Sequence, residues 1–582
     1  MADSRRLEKL GAYLRPHWKN ASWGVFTLLV VNALGVYIPL LIRNGIDELQ
    51  VAVKFDKILY YAVLILILAS IMWVIRMVSR TLLFGVGRQV EFDLKQKIFN
   101  RLLTLEPSYF AGNTIGDLIN RATSDVENIR RLVGFAVLSL ANTAFAYALT
   151  LPVMLGINVK LTLFSISVYP LMLVLVQLFS DKLRIQQLTV QEELSSISDL
   201  IQEDMSGISL IKIYAQEENE RQAFRTSTKQ LLQANLELAK TRNLLFPILG
   251  GLASLSLLVV LSLGAGAIAN GEISIGDFVA LLLFVERLVF PTALLGFTIT
   301  AYQRGEVSID RIESILTVEP KIKDTVNAIE LPKPVKGWLT AQNLSYTYPE
   351  AKTPALKNVN FTIKPGETVS IVGAIGSGKS TLANALPRLL DIEIDQLFLD
   401  GKDITQLKLA DLRGAIAYVP QESFLFSTTI KNNIRYGNPL AEQPEIEKAA
   451  KQAQIYSEIL NFPQQYKTIV GERGITLSGG QRQRMALARA LLIDATVLIL
   501  DDALSSVDNQ TATDILKNLA TGTERKTVIF ISHQMSAAAT ADRIFVMEFG
   551  EIVQTGTHAE LVQEKGLYQS LWNKQKLEEL LQ

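Results

Sequence analysis

The stretch from Thr368 to Thr381 reads TVSIVGAIGSGKST, an apolar run followed by glycines, a lysine and a serine. From Gly373 to Ser380 the spacing is G-x-x-x-x-G-K-S. The glycines let backbone N–H groups converge on a phosphate, Lys379 reaches its outer oxygens, and the Ser380 hydroxyl is a magnesium ligand. The pattern predicts a strand, a phosphate-binding loop and a helix, and with them an α/β nucleotide-binding domain. The residues predicted to hold the phosphates are Gly373, Ala374, Ile375, Gly376, Ser377, Gly378, Lys379, Ser380 and Thr381.

A second apolar run ends in two consecutive aspartates, in the stretch LILDDALSSVD of residues 498–508. Asp501 follows a predicted buried strand, where a carboxylate would hold the magnesium ion that bridges the phosphates. Asp502 stands where a base for the attacking water is expected. These positions predict phosphoryl-transfer chemistry.

Another anion site is predicted between these two stretches, where a Ser-Gly-Gly turn precedes the helical pattern RQRMALARALL. Such a turn offers free N–H groups and the positive end of a helix dipole. A head-to-tail dimer explains why one chain carries two phosphate-binding surfaces: each nucleotide lies between the loop of one chain and the turn of the other. An ordinary capped helix start is the alternative. The residues of the turn are Leu477, Ser478, Gly479, Gly480 and Gln481.

The first half of the chain contains long apolar blocks with few charges. A membrane-spanning helix needs about 20 such residues. Six windows qualify: Trp23–Leu41, Ile58–Ile75, Val133–Ile157, Leu161–Phe179, Leu245–Ala269 and Ile275–Ala301. The connections after the second and fourth windows are long and rich in Lys and Arg, which places them, both termini and the nucleotide-binding domain in the cytoplasm. A buried soluble helix bundle is the alternative.

The long connections have helical periodicity and should each turn at a tip, predicted at Asn113–Asp117 and Tyr214–Asn219. The charged N-terminal segment is predicted to form a helix along the membrane surface, with a solvated lead-in as the alternative. The predicted organisation is a transmembrane domain over residues 1–316, a proline-rich linker over 317–336 and an ATP-binding domain over 337–582.

Composition excludes several classes of function. The chain has 582 residues, with 57 Lys and Arg balancing 57 Asp and Glu, so bulk charge gives no support to a nucleic-acid partner. Cysteine is absent, which excludes disulfide frameworks, zinc–thiolate sites and thiol nucleophiles.

The order of GAIGSGKST, VPQESFLFSTTIKNNI, VGERGITLSGGQRQR, LILDDALSSVD and ISHQ resembles the ATP-binding cassette (ABC) exporters that fuse six spans to one nucleotide-binding domain. The resemblance covers nearly the whole chain and implies a multidomain fold: an all-α six-helix membrane domain plus an α/β P-loop domain. It also implies ATP and Mg²⁺ as ligands, lipid surroundings, and a dimer of two half-transporters.

Further roles come from the resemblance alone. Tyr348 matches the aromatic residue that stacks on adenine, and a core tyrosine is the alternative. Gln421 matches the glutamine that contacts magnesium and senses the membrane domain. Asp508 matches a dimer-contact aspartate, and His533 matches the histidine beside the γ-phosphate. Glu472 matches a segment that meets the loop tips.

Asp502 departs from the pattern, because most such exporters have glutamate after the magnesium aspartate. Aspartate is one methylene shorter, so its carboxylate is withdrawn by roughly 1.5 Å. We expect the chain to bind ATP in its own cradle but to hydrolyse it slowly there. Because the Ser-Gly-Gly turn is intact, the combination resembles the weak-site subunit of heterodimeric bacterial multidrug-type exporters. A homodimer in which Asp502 suffices and a mainly regulatory ATP-binding subunit are the alternatives.

The spans suit an amphiphilic or hydrophobic substrate such as a drug, a lipid or a peptide. Glu286 and Arg287 are ionisable residues at mid-span, where such groups are costly and often functional. They would either contact substrate, or pair with each other or with the partner chain. Asn142 and Gln177 are weaker polar candidates.

Overall fold

The protein is described by a computed structural model covering residues 2–51, 55–349, 351–471, 474, 476–520 and 525–581. Glu472 lies outside these described residues. The chain divides into two compact units. The first comprises Met1–Thr104 and Asn113–Val318, and the second comprises Leu105–Gly112 and Glu319–Gln582. The first is helical and the second is α/β, which confirms the predicted fold class.

Long helices dominate the N-terminal part of the chain. In chain order the α-helices are α1 (Ala2–Leu14), α2 (Trp18–Val51), α3 (Phe55–Thr104), α4 (Pro107–Gly112), α5 (Ile115–Asn120), α6 (Val126–Arg131), α7 (Val137–Ile157), α8 (Val159–Ile166), α9 (Val168–Ser206), α10 (Ile208–Ile213), α11 (Glu217–Ala269) and α12 (Ile275–Leu316). Residues Arg15–His17 form a 3₁₀ turn, and Arg121–Asp125 and Leu132–Ala136 form π-helical turns. Within the described residues, six continuous helical stretches are long and apolar enough to cross a membrane.

Helix α12 is the centre of the first unit and packs against α2, α7, α9 and α11. Its buried side chains include Phe284, Val285 and Leu288, which are fully covered by the neighbouring helices. These positions recur every three or four residues, so one face of α12 provides the packing surface. The other long helices pack as hairpins, α2 with α3 and α9 with α11.

The predicted tips are only partly right. In the first connection, α3 ends at Thr104, before the predicted turn at Asn113–Asp117. That predicted turn includes the first turn of α5. Thr114 caps α5 by accepting a hydrogen bond from the backbone N–H of Asp117. In the second connection, Tyr214–Gln216 lie outside helices, but residue 217 already begins α11. The polar residues on which both predictions rested lie partly at the starts of helices, where polar side chains are also common.

The N-terminal helix is tied to the end of α12. The ammonium of Lys9 and the hydroxyl of Tyr13 both bond to the carboxylate of Glu313, and Tyr13 is buried. The segment is therefore a packed helix within the first unit.

The second unit contains two sheets in its described residues. The strands are β1 (Leu339–Tyr346), β2 (Leu356–Ile363), β3 (Thr368–Gly373), β4 (Leu397–Leu399), β5 (Lys402–Asp403), β6 (Ile416–Val419), β7 (Val497–Asp501), β8 (Thr527–Ile531), β9 (Arg543–Glu548) and β10 (Glu551–Gly556). One sheet has the order β2-β1-β4-β5 and is antiparallel. The other has the order β10-β9-β3-β8-β7-β6 and is parallel from β9 to β6.

Helices cover the larger sheet and complete its core. They are α13 (Lys379–Ala385), α14 (Leu409–Ala415), α15 (Ile430–Arg435), α16 (Gln443–Gln452), α17 (Tyr456–Asn461), α18 (Gly479–Leu491), α19 (Asn509–Ala520), α20 (Met535–Ala538), α21 (His558–Gln563) and α22 (Leu567–Leu581); Gln465–Lys467 form a 3₁₀ turn. Strands β3, β7 and β8 are buried at every position, which is the pattern of central parallel strands.

The proline-rich segment after α12 makes hydrogen bonds and packs against the rest of the second unit. The backbone N–H of Ile329 donates to the carbonyl of Gln406, and that of Lys408 donates back to Ile329. The side chains of Ile322 and Leu331 are buried. The segment is therefore bound along the second unit for much of its length.

We predict that Arg311→Leu destabilises the first unit. The carboxylate of Asp125 is buried, accepts a hydrogen bond from Ser308 and lies 3.1 Å from the Arg311 guanidinium. Loss of the guanidinium leaves this carboxylate unpaired, at a cost of about 3 kcal/mol. The thermal unfolding midpoint in detergent should fall by several degrees.

Arg225→Leu, at an exposed position of α11, is the control and should leave the midpoint unchanged. Adding Asp125→Asn to Arg311→Leu should recover part of the loss, because it removes the buried charge. Equal midpoints for wild type and Arg311→Leu would contradict the prediction.

Candidate functional site

Three adjacent parallel strands bring the predicted site together. The order β3-β8-β7 places the ends of these strands, Gly373, Ile531 and Asp501, at one edge of the sheet. Ligands of α/β sheets bind at the carboxyl ends of strands. The phosphate loop, the two aspartates and His533 therefore project from one edge, although they are up to 160 residues apart in the chain.

The loop after β3 has the backbone of a phosphate cradle. Gly376 and Gly378 have φ angles of +82° and +96°, which residues with a Cβ rarely adopt. A Cβ on Gly378 would also lie 2.6 Å from the carbonyl oxygen of Ala355. Residues 374–376 are exposed at the mouth of the loop, whereas Ser377, Lys379 and Thr381 are buried.

Lys379 lies inside this cradle. Its ammonium donates to the carbonyls of Gly373 at 2.9 Å and Ala374 at 2.7 Å. Burial lowers the pKa of Lys379, and the nearby carboxylates of Asp501 and Asp502 oppose that shift. The side chain is a buried cation at the position where phosphate oxygens would replace the loop carbonyls.

The first aspartate contacts the serine of the loop. The Ser380 hydroxyl donates to Oδ1 of Asp501 at 3.0 Å. A hydroxyl and a carboxylate are oxygen ligands of the type Mg²⁺ prefers, with phosphates and water completing the shell. Among the described residues there is no cluster of three or more His, Cys, Asp or Glu that could hold a metal by itself. The donors therefore fit a magnesium ion that arrives with the nucleotide.

A tyrosine that the sequence analysis did not identify completes the surroundings of Asp501. The hydroxyl of Tyr418 lies 3.1 Å from Oδ2 of Asp501 and 2.9 Å from Oδ1 of Asn384. Burial and the Asp501 charge raise the pKa of this hydroxyl, so it stays protonated and donates. Burial raises the pKa of Asp501, and hydrogen bonds from Ser380 and Tyr418 oppose the shift. The only sequence signal is a tyrosine three residues before Gln421.

Asp502 has a distinct backbone. Its φ is +49°, a left-handed conformation that aspartate tolerates better than most residues. Its backbone N–H donates to Ile531, and its carbonyl accepts from the Ser505 hydroxyl at 2.9 Å. Within the described residues, its carboxylate accepts no hydrogen bond. The backbone is held in place and the half-buried carboxylate is left available.

The remaining residues that we expect to contact the nucleotide lie at the surface of the second unit. The Tyr348 hydroxyl is 3.3 Å from the Thr381 hydroxyl, and its ring meets Tyr346 edge to face. Tyr348 is 39% exposed, so it is not a core tyrosine. Gln421 and His533 are exposed, and neither side chain has a hydrogen-bond partner in the described part of the chain.

The Ser-Gly-Gly turn begins helix α18. The Ser478 hydroxyl accepts from the N–H of Gln481, whose side chain accepts from the N–H of Ser478, and the Gln481 amide donates to Glu458. A Cβ on Gly480 would lie 2.7 Å from the carbonyl of Ser506. The turn is thus a capped helix start in this chain. No hydrogen bond joins it to the phosphate loop among the described residues.

Gln483, which no motif in the sequence marks, links this turn to the aspartate segment. It is buried, donates to the Ser505 hydroxyl at 3.0 Å and accepts from the N–H of Ser506 at 2.9 Å. Asp508 follows and caps α19 by accepting from the N–H of Thr511, and this hydrogen bond lowers the pKa of Asp508. Helix α18 and the segment after Asp502 therefore form one hydrogen-bonded body.

In the first unit, Glu286 and Arg287 do not pair with each other. The Arg287 guanidinium donates to the carbonyl and the side chain of Asn32, whose amide donates to Asn142. Glu286 is exposed on α12. The arginine belongs to a partly buried polar network, and the glutamate remains a candidate for contact with substrate or a partner. Gln177 has no hydrogen-bond partner among the described residues.

Comparison with known proteins agrees with this architecture. Residues 23–292 match the family described as ABC transporter transmembrane region, and residues 356–505 match the family described as ABC transporter. The chain is 33% identical over 573 residues to the probable multidrug resistance ABC transporter ATP-binding/permease protein YheI of Bacillus subtilis (strain 168), covering 98% of each sequence. The chain belongs to the ABC transporters.

Two further matches define its place among ABC transporters. The ATP-dependent lipid A-core flippase of Syntrophus aciditrophicus (strain SB) is 31% identical, with 97% of this chain and 93% of that protein covered. The structure of a bacterial Atm1-family ABC exporter with ATP bound has a TM-score of 0.78 at 24% identity, over 96% and 99% of the two chains. This ABC transporter is thus a half-transporter: an ATP-hydrolysing, multi-pass membrane protein with one membrane region and one nucleotide-binding domain.

We predict that Tyr418→Phe weakens binding of magnesium–ATP about tenfold. The substitution removes a hydrogen bond to a charged carboxylate, which contributes about 1.5 kcal/mol or more, and 1.4 kcal/mol is tenfold in affinity. Binding of ATP without magnesium should be unchanged, because Tyr418 contacts the magnesium aspartate rather than the phosphate loop. Calorimetric titration with ATP, with and without magnesium, measures the difference.

Tyr436→Phe, at an exposed tyrosine of the same unit, is the matched control and should bind as wild type does. If Tyr418→Phe lost affinity equally in both conditions, the tyrosine would act on the fold of the domain and the positioning role would be wrong.

Proposed function

We propose that this ABC exporter is the weak-site half of a heterodimer that moves an amphiphilic or hydrophobic substrate out of the cytoplasm. The single observation that carries the proposal is Asp502, an aspartate at the position of the expected catalytic base. The names of its relatives, which refer to multidrug resistance and to a lipid A-core, favour a drug-like or lipid-like substrate.

The geometry around Asp502 supports slow hydrolysis in its own cradle. Asp502 follows the magnesium aspartate directly, and its backbone is fixed by hydrogen bonds to Ile531 and Ser505. A carboxylate on this fixed backbone, one methylene shorter than glutamate, lies roughly 1.5 Å further from the attacking water. Misplacement on this scale costs on the order of a hundredfold in rate. ATP therefore binds but is cleaved slowly.

The rest of the cradle is equipped for binding. Lys379 would hold the outer phosphate oxygens, Ser380 and Asp501 would hold Mg²⁺, and Tyr348 would stack on adenine. When bound, Mg²⁺ neutralises charge on the phosphates. Gln421 and His533 are free to meet the magnesium shell and the γ-phosphate respectively. We therefore attribute slow hydrolysis to the Asp502 side chain alone, because the other nucleotide-binding residues are present.

The intact Ser-Gly-Gly turn supports a second, active site. Ser478 caps a helix of 13 residues that begins with Gly479 and Gly480, so the N–H groups of these glycines and the helix dipole could bind an anion at this end. In a head-to-tail dimer this turn would complete the cradle of the other chain. Asp508, beside it, would contact the partner. A partner with glutamate after its magnesium aspartate would supply the fast site.

The alternatives are a homodimer in which Asp502 suffices and a subunit that mainly regulates its partner. The proposed organisation is a transmembrane domain over residues 1–316, a linker over 317–336 and an ATP-binding domain over 337–582. The proposed orientation has both termini and the ATP-binding domain in the cytoplasm, because the Lys- and Arg-rich connections lie on that side.

We predict that Asp502→Glu raises steady-state ATP hydrolysis of the purified chain by ten- to a hundredfold, because the longer side chain reaches the attacking water. Phosphate release from the chain reconstituted at high density, so that it can dimerise, measures the rate. Wild type should be slow, and Asp502→Ala should differ little from it.

Asp502→Asn is the matched control, since asparagine also tolerates the left-handed backbone and carries no base. Rapid hydrolysis by wild type that Asp502→Ala does not diminish would overturn the weak-site assignment. Rapid hydrolysis that Asp502→Ala abolishes would favour the homodimer.

A further inference from the structure

A cavity of about 520 Å³ lies between four helical segments of the first unit. Four arginines line it, one from each segment: Arg131 from α6, Arg184 from α9, Arg242 from α11 and Arg304 from α12. A volume of this size accommodates a drug-sized ligand. No aspartate or glutamate is among the described residues that line it.

Most of this positive charge is not neutralised. Arg131 pairs with Glu127 at 3.0 Å. In contrast, Arg184, Arg242 and Arg304 make no hydrogen bond or ion pair within the part of the chain that the structure describes. A cavity lined by charge of one sign concentrates counter-ions. Guanidinium groups bind phosphate and carboxylate through paired hydrogen bonds. The ligand that this cavity suits is therefore an anion.

Two phenylalanines from the predicted spans also line the cavity. Phe135 lies one helical turn beyond Arg131, and Phe297 lies two turns, about 10.5 Å, before Arg304. Both phenylalanines belong to predicted spans, whereas all four arginines lie two to five residues outside the ends of theirs. The spacing of four and seven residues keeps each ring on the same helix face as its arginine. The cavity thus has arginines just outside the predicted spans and phenylalanines within them.

Arginines that flank spans often extend toward lipid headgroups on the outside of a helix bundle. Here arginines from four segments line one shared cavity that is open to solvent. Position alone would explain arginines spread around the bundle, but not their collection on one cavity whose described lining residues include no carboxylate.

We propose that this cavity binds an anionic amphiphile, with a phosphate or carboxylate headgroup on Arg184, Arg242 and Arg304 and an apolar tail against Phe135 and Phe297. The proposal deepens the proposed function by naming the charge of the substrate, and it rests on that function only for the export step. Binding to the cavity needs no ATP.

The test is equilibrium binding to the full chain in neutral lipid nanodiscs without nucleotide. The probes are fluorescent lysophosphatidic acid, which carries a phosphate headgroup, and a monoacylglycerol with the same chain and no charge. Wild type should bind the anionic probe at least tenfold more tightly. The triple variant Arg184→Gln, Arg242→Gln, Arg304→Gln should lose this preference.

A matched triple variant, Arg88→Gln, Arg101→Gln, Arg225→Gln, removes the same charge from arginines that do not line the cavity and should bind within twofold of wild type. Replacing Arg184, Arg242 and Arg304 with lysine should keep most of the preference for the anionic probe. This result would show that the glutamine variants lose binding through loss of charge and not through misfolding. Phe297→Ala should weaken both probes alike.

The proposal is overturned if the two glutamine triples lose binding equally, or if the neutral probe binds as tightly as the anionic one. It is also overturned if inorganic phosphate displaces the probe at the probe's own concentration, because the site would then take a free anion. Hydrolysis measured for the Asp502 variants without amphiphile is independent of all these outcomes.

Discussion

The order of three strands is the constraint on which the nucleotide site depends. Because β8 pairs in parallel with both β3 and β7, the phosphate loop, His533 and the two aspartates emerge at one edge of the sheet. The hydrogen bond from Ser380 to Asp501 then joins the start of α13 to the end of β7. The three strands are buried at every position, so packing on both faces of the sheet holds the donors for Mg²⁺ in place.

Asp502 lies between two parts of this machinery. The charge of its carboxylate acts on Lys379 of its own cradle, while the segment that follows it is bonded through Gln483 to helix α18. In a head-to-tail dimer these two parts serve different nucleotides. In the proposed heterodimer, a chain that hydrolyses ATP slowly in its own cradle would still contribute its Ser-Gly-Gly turn to the other cradle. The hydrogen bonds of Gln483 connect helix α18 to the segment after Asp502.

The first unit distributes its polar groups in two ways. At mid-span, Arg287 donates two hydrogen bonds to Asn32, so it is held within the packing around α12. Beyond the ends of the predicted spans, Arg184, Arg242 and Arg304 line a cavity and have no carboxylate partner among the described residues. Burying an unpaired charge in the apolar interior is costly, whereas a cavity at the edge of the apolar layer keeps the charge solvated until an anion arrives.

The sequence alone determined the two-part fold, the six apolar helices, the phosphate loop and the family, because apolar blocks and contiguous motifs are local in the chain. It placed two turns imperfectly, since a polar residue such as Thr114 caps a helix as readily as it ends one. Only the tertiary structure showed that Tyr418 bonds to Asp501, that Gln483 bonds to the segment after Asp502, and that four distant arginines share a cavity. These contacts join elements that are far apart in the chain, and their partners are chosen by strand order and helix packing, which no local pattern specifies.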